Sequence, residues 1–171
     1  MRKRLLLSIT LPILISSIHA QELKIIDNSY KSEFQVQVGT LSIDEIVAAF
    51  EINQLETQDP KVIYKNEQAN VFIVEYFFNW MKDTNNRWWP VVIPCKCFLQ
   101  GDSLKIVIEN LMLQYYLTLD RDSEMGRTPI EKGKGNLSEE SHDRLQTDII
   151  EIHSSLSKVV NKAREYWNKG F

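Results

Sequence analysis

Two cysteines, Cys95 and Cys97, are the only ones in a chain of 171 residues, and they lie two positions apart. On a β-strand this spacing points both side chains to one face with Cα atoms about 6.6 Å apart, near the upper limit for a disulfide. Buried free thiols are the first interpretation; a strained or redox-active disulfide and a soft-metal site are the alternatives. Zinc usually takes four ligands and no histidine lies nearby in sequence, so we predict no metal site.

Three carboxylates could do acid–base chemistry if their strands pair: Glu75, Asp102 and Glu109. Glu75 interrupts an apolar strand, where a carboxylate more often faces water than acts as an acid with a shifted pKa. Asp102 lies in a turn-forming stretch, where aspartate is expected for turn geometry alone. The chain has no nucleophile elbow, phosphate-binding glycine loop, zinc-protease helix motif or calcium loop. We predict no catalytic residue and no cofactor, with a carboxylate-based, hydrolase-like enzyme as the alternative.

Aromatic residues concentrate around one predicted hairpin. Trp88 and Trp89 are adjacent, so on a strand they point to opposite faces and one of them faces solvent. An exposed indole there can stack on a sugar, a peptide or another apolar surface, whereas the alternative is that the rings only cap the core. The candidate ligand-binding residues are Tyr76, Trp80, Arg87, Trp88 and Trp89.

Predicted strands position these residues. Residues 71–80 are aromatic or β-branched at nearly every position, and the even-numbered ones make an apolar stripe on one face. Asn85 and Asn86 favour a hairpin turn after this strand. The returning strand, residues 88–99, contains Pro90 and Pro94, which predicts an edge strand or one that joins the sheet only after Pro94. Further strands are predicted at residues 104–109 and, after a bend at Asn110, at residues 111–119.

Two helices and a first strand complete the predicted elements. Residues 33–38 alternate strictly, with Phe34, Val36 and Val38 inward. Ser42 and Glu45 form a capping box for a helix over residues 43–55. The longest helix begins at Ser138, and its predicted buried seam consists of Leu145, Ile149, Ile152, Leu156, Val159, Ala163 and Trp167.

Three remaining segments carry weaker patterns. Residues 62–64 predict a short strand. Residues 21–32, which lead into the first predicted strand, are interpreted as a loosely held entry segment. Residues 120–136 are rich in glycine and charge and predict a long mobile loop.

The N terminus has the pattern of a secretory signal peptide. Basic residues 2–4 precede the apolar run 5–15, and cleavage is expected after Ala20. The chain has 20 basic and 23 acidic residues, so removal of residues 1–20 leaves a net charge of about −6. This charge disfavours nucleic acid as a partner. No second stretch is apolar enough to span a bilayer. The mature chain, residues 21–171, is expected to be a single exported domain, periplasmic or secreted.

The order of elements predicts an α+β fold, an antiparallel sheet of about five strands with a short and a long helix on one face. With residues 97–110 as a hairpin, the chain from Phe34 to Leu117 resembles an exported family of unknown function from Bacteroidetes-type bacteria, whose fold is similar to that of the TATA-box-binding protein. That family has no assigned activity, so the resemblance implies a two-layer fold and no site residue. We expect a non-enzymatic domain that binds a protein or a small apolar ligand on the sheet face without helices. A structural or assembly role in the cell envelope, with the proline-bearing edge pairing to another protein, is the other alternative.

Overall fold

A computed structural model of the chain describes residues 24–26, 29–57, 60–82, 85–116, 125–130 and 138–168. The predicted signal peptide lies outside these ranges. In chain order the elements are β1 (Lys24–Ile26), β2 (Ser29–Gln37), α1 (Ile43–Thr57), β3 (Lys61–Asn66), β4 (Val71–Lys82), β5 (Trp88–Gln100), β6 (Ser103–Ile108), β7 (Met112–Tyr116), β8 (Met125–Pro129) and α2 (Glu139–Asn168).

The strands form one antiparallel sheet with the order β1-β2-β6-β5-β4-β3. β6 and β7 lie one after the other along the same side of β5: β6 pairs with residues 95–100, and β7 pairs with Val91 and Val92. β8 pairs with β7 alone. The predicted α+β class is therefore confirmed, although the sheet has eight strands among the described residues rather than about five.

Both helices pack on one face of this sheet. The predicted capping box begins α1: the Ser42 amide donates to Glu45 Oε2 at 2.7 Å, and the Glu45 amide donates to Ser42 Oγ at 3.3 Å. Phe50 of α1 packs on Phe72 of β4, and Phe34 of β2 packs edge-on against His153 of α2. The predicted α2 seam is confirmed, because its members from Leu145 to Ala163 are at most 3% exposed and Trp167 packs against the core.

The predicted turns are also present. Asn86 in the β4–β5 hairpin and Asn110 between β6 and β7 adopt positive φ angles of 60° and 56°. Asparagine tolerates this left-handed conformation better than most residues. The bend at Asn110 is what carries the chain from β6 to β7 along the same neighbour.

The prediction that the proline-bearing strand lies at a sheet edge is wrong. β5 lies inside the sheet, with β4 on one side and β6 and β7 on the other. Pro90 faces a bulge in β4, because the register jumps from Phe78 to Met81. Pro94 lies between the segments of β5 that pair with β7 and with β6. Each proline thus sits where the ladder is interrupted, so its missing N–H does not break a regular ladder.

Two strands lie where the sequence predicted none. β1 occupies part of the entry segment and pairs with β2. β8 lies within the predicted loop 120–136, of which residues 120–124 and 131–136 are outside the described ranges. A three-residue strand is too short to show alternation, and β8 has no alternating apolar residues. Each becomes a strand by pairing with another strand, β1 with β2 and β8 with β7. No helix in the described ranges is both long and apolar enough to cross a membrane.

Candidate binding site

The sheet face opposite α1 and α2 is here called the helix-free face. The core side of β5 carries every second residue from 91 to 97. These residues are Val91, Ile93, Cys95 and Cys97, and none of them is exposed to solvent. Side chains alternate along a strand, so the intervening residues point to the helix-free face. These residues are Trp88, Pro90, Val92, Pro94, Lys96 and Phe98.

The bulge in β4 changes which of its residues reach this face. Phe72, Val74 and Tyr76 of the apolar stripe point to the core, but beyond the bulge Met81 is the core residue, with 1% exposure. One extra residue reverses the facing of everything after it. Lys82, opposite Trp88, therefore lies on the helix-free face. The side chain of Trp80, a predicted site residue within the bulge, is outside the described part of the structure.

Exposed aromatic side chains gather on the helix-free face. Trp88 is 52% exposed, and Phe77, which faces Val92 across the strands, is 38% exposed. Tyr64, opposite Ile73, is 47% exposed. Among the described residues, Tyr166 on α2 is the only other exposed aromatic side chain. This face therefore carries three of the four exposed aromatic side chains in the described ranges.

Glu75 and Arg127 form an ion pair on the same face. Arg127 Nη1 donates to Glu75 Oε1 at 2.7 Å, and Nη2 donates to Oε2 at 3.1 Å. The Glu75 side chain is 8% exposed and that of Arg127 is 42% exposed. The expectation that Glu75 faces water is wrong, because β8 supplies a guanidinium that covers it. A bidentate pair fixes both geometry and charge.

The ion pair crosses the sheet. Glu75 belongs to β4 and Arg127 to β8, and β5 and β7 lie between these strands. Arg127 is opposite Gln114, Glu75 is opposite Pro94, and the line between them crosses β5 near Val92. Val92 has no solvent exposure although it is not part of the main core. The Arg127 side chain therefore spans the helix-free face from β8 towards β4.

Two of the predicted aromatic site residues point to the opposite side. Tyr76 is 4% exposed, and its hydroxyl donates to Ser155 Oγ on α2 at 3.2 Å, so it does not belong to the helix-free face. Trp89 is partly buried and packs against the core, while Trp88 is exposed, as predicted for adjacent tryptophans. The exposed Arg87 lies with its guanidinium carbon 5.3 Å from the Trp89 ring centroid. Of the five predicted residues, Trp88 is the one the structure places exposed on this face.

Cys95 and Cys97 are free thiols with no solvent exposure. Burial raises the pKa of both thiols well above the usual value, and the neighbouring Cys97 raises that of Cys95 further. A protonated, buried thiol is a poor nucleophile and a poor metal ligand. The interpretation as buried free thiols agrees with this geometry, and the disulfide and redox alternatives do not.

The three candidate carboxylates do not converge. Glu75 is paired with Arg127, whereas Glu109 accepts a hydrogen bond of 2.6 Å from Lys96 Nζ. This hydrogen bond is the main cause of the lowered pKa of Glu109. Asp102 is exposed in the β5–β6 turn. The described residues contain no group of three or more His, Cys, Asp or Glu side chains arranged to hold a metal ion. Glu75, Asp102 and Glu109 therefore do not form the pair of acids that the hydrolase alternative needs.

Arg127 is the site residue that sequence reasoning missed. It lies in the glycine-rich, charged segment interpreted as a loop, where an arginine is unremarkable. A single buried carboxylate such as Glu75 signals that a cation must come from elsewhere in the chain, but the sequence does not say which one.

The sequence matches no protein-family model and no curated protein. Among solved structures, it is similar to a TBP-like protein from Parabacteroides distasonis, with a TM-score of 0.48 and 11% identity over 81% of this chain and 97% of that chain. A DUF4468 family protein from Bacteroides ovatus is similar with a TM-score of 0.48 and 10% identity, over 85% of this chain and 91% of that chain. The resemblance found from the sequence was to a family of this kind, from Bacteroidetes-type bacteria and with a fold like that of the TATA-box-binding protein. The likeness concerns the course of the chain, and no function passes from it.

Proposed function

We propose that this protein is a non-enzymatic binding domain that holds a partner on its helix-free face. The observation that carries the proposal is the pair of exposed rings, Phe77 and Trp88, on the same face as the Glu75–Arg127 ion pair. Aromatic rings contribute large contact areas at a small cost in side-chain entropy, so they serve well as anchors for a ligand.

The surroundings of these rings support a preformed site. Pro90 and Pro94 point to the same face, and their rings have no side-chain rotamers to lose on binding. The ion pair between Glu75 and Arg127 connects the β7–β8 hairpin to β4. A site held by paired strands and a two-point ion pair needs little ordering when a ligand binds, which favours affinity.

The proposal includes export of the mature chain. The basic residues 2–4, the apolar run 5–15 and the small residues before Gln21 support it. N-terminal sequencing of the protein recovered outside the cytoplasm should begin at Gln21. Recovery of a cytoplasmic protein that retains residues 1–20 would refute export.

The binding proposal is tested by native mass spectrometry of the protein isolated from the compartment in which it accumulates. The unmodified protein is expected to carry a stoichiometric extra mass, which the double variant Phe77→Ser/Trp88→Ser loses. The control is Ile150→Ser, because Ile150 has the same 52% exposure as Trp88 but lies on α2. Circular dichroism confirms that each variant is folded.

Two results would contradict the proposal. Retention of the bound mass in the folded double variant would place the binding site elsewhere. Loss of the bound mass in Ile150→Ser to the same extent would show that general surface hydrophobicity, rather than the helix-free face, holds the partner.

A further inference from the structure

Positive charge surrounds the exposed rings of the helix-free face. Lys82 is the cross-strand partner of Trp88, and its Nζ lies 5.6 Å from the Trp88 ring centroid. Lys61 is the cross-strand partner of Glu75, and directly opposed residues share a face. With Arg127, three basic side chains lie on the same face as these rings, and both Lys61 and Arg127 are next to Glu75. We call Lys61, Phe77, Lys82, Trp88 and Arg127 the cationic aromatic patch.

Elsewhere on the helix-free face the lysines lie beside acids, and Glu109 is shared by Lys31, at 3.9 Å, and Lys96. Lys96 pairs with Glu109 at 2.6 Å, and Lys105 pairs with Glu33 at 2.9 Å. Neither Lys61 nor Lys82 forms an ion pair with an acid in the described ranges. The chain as a whole carries a net charge of −3. Basic side chains without an acidic partner, on the same face as exposed aromatic rings, give an acidic protein a local field that selects for a negative partner.

We infer that the partner is an acidic peptide segment with an aromatic or large aliphatic side chain, an inference that rests on the proposed binding function. Its apolar side chain packs on Phe77 and Trp88, and its carboxylates pair with Lys61, Lys82 and Arg127. The ion pair with Glu75 uses two of the five N–H groups of a guanidinium, and 42% of the Arg127 side chain is exposed. A carboxylate of the partner therefore reaches Arg127 without displacing Glu75.

Charge distribution favours a peptide over a nucleic acid. A phosphate backbone repeats its charge at short intervals and requires a continuous basic surface. Here Glu33 and Glu109 interrupt the basic surface beyond the patch, and these acids would repel a backbone laid across the sheet. A short segment with clustered carboxylates fits the limited extent of the cationic aromatic patch.

The test is a fluorescence-anisotropy titration of the full mature chain with three labelled synthetic peptides. The first is rich in aspartate and glutamate around a central phenylalanine, the second has asparagine and glutamine at the acidic positions, and the third has lysine there. The acidic peptide is expected to bind about tenfold more tightly than the amide peptide, with the preference decreasing at high salt. A thymidine oligonucleotide of similar length serves as a non-peptide anion.

Variants locate the interaction. Lys61→Gln/Lys82→Gln should reduce affinity for the acidic peptide about tenfold and leave the amide peptide unaffected, whereas Lys158→Gln, an exposed lysine on α2, should change neither. Trp88→Ala should weaken both peptides.

Each contrary result is distinct. Equal binding of acidic and amide peptides, with loss of both in Trp88→Ala, would overturn the acidic partner and leave the binding function intact. Tighter binding of the oligonucleotide would replace the peptide by a nucleic acid. No binding of any peptide would overturn the peptide inference, while the bound-mass measurement decides the binding function separately.

Discussion

Glu75 and Arg127 belong to strands that do not pair with each other, yet their side chains meet at two points on the helix-free face. The pair connects the last strand of the chain to one of the longest, β4. Its buried partner is the carboxylate, so removal of the guanidinium leaves a charge without compensation.

Substitution of Arg127 by methionine should lower the free energy of unfolding by about 2 kcal/mol, measured by urea denaturation. This is less than for a fully buried pair because water reaches part of Arg127. The double variant Glu75→Gln/Arg127→Met should lose less than the sum of the two single variants. The control is Lys105→Met, whose exposed pair with Glu33 should contribute less than about 0.5 kcal/mol. Equal losses in both arginine and lysine variants would show that the Glu75–Arg127 pair acts as an ordinary surface contact.

Asp148 on α2 should make stability fall as the pH rises. It is 3% exposed, its Oδ1 lies 3.8 Å from Arg144 Nε, and its Oδ2 has no hydrogen-bond partner. Burial raises its pKa above the usual 3.8, which Arg144 partly opposes and Glu151 reinforces. The folded state therefore binds the carboxyl proton of Asp148 more tightly than the unfolded state does. As a result, the ionised carboxylate present near pH 7 destabilises the fold, whereas the protonated carboxyl group does not.

Accordingly, Asp148→Asn should stabilise the protein by about 1 kcal/mol near pH 7, with the advantage disappearing as the pH falls through the raised pKa of Asp148. Urea denaturation at a series of pH values measures this. Asp143→Asn, at an exposed position of the same helix, is the control and should show no such pH-dependent gain. A gain that stays constant down to acidic pH would mean that the ionisation of Asp148 is not responsible.

The adjacent tryptophans should separate binding from stability. Trp88→Ala should lower the free energy of unfolding by less than about 0.5 kcal/mol, because Trp88 is mostly exposed. Trp89→Ala should lower it by about 2 kcal/mol, because Trp89 packs against the core. Thermal and urea denaturation of the two variants provide the comparison, each serving as the control for the other. A larger loss in Trp88→Ala would place that ring in the core instead.

The thiols of Cys95 and Cys97 should resist reagents that attack accessible thiolates. Both are buried on the core side of β5 with raised pKa values. In the native protein near pH 8, dithionitrobenzoate should react no faster than the protein unfolds, and both thiols should react at once in urea. Rapid modification of either thiol in the folded state would restore the possibility of redox chemistry.

Local patterns predicted much of the fold. The capping box of Ser42 and Glu45, the apolar seam of α2 and the alternation of β2 each appear as expected, because each depends on residues within a few positions of one another. The positive φ at Asn86 is of the same kind. One residue of the candidate site followed from the same reasoning. Adjacent strand residues face opposite ways, so one of Trp88 and Trp89 had to be exposed.

The sequence by itself thus determined both helices, most of the strands, the α+β class and the presence of one exposed tryptophan. Only the tertiary structure decided that Glu75 is buried, that Tyr76 faces α2 and that β5 is an inner strand. The physical reason is sequence distance: Arg127 covers Glu75 from 52 residues away, and Tyr76 meets Ser155 from 79 residues away. A register shift in β4 also reverses the facing of its last residues, and β8 becomes a strand through pairing rather than pattern. Such long-range contacts are absent from any local window of the sequence.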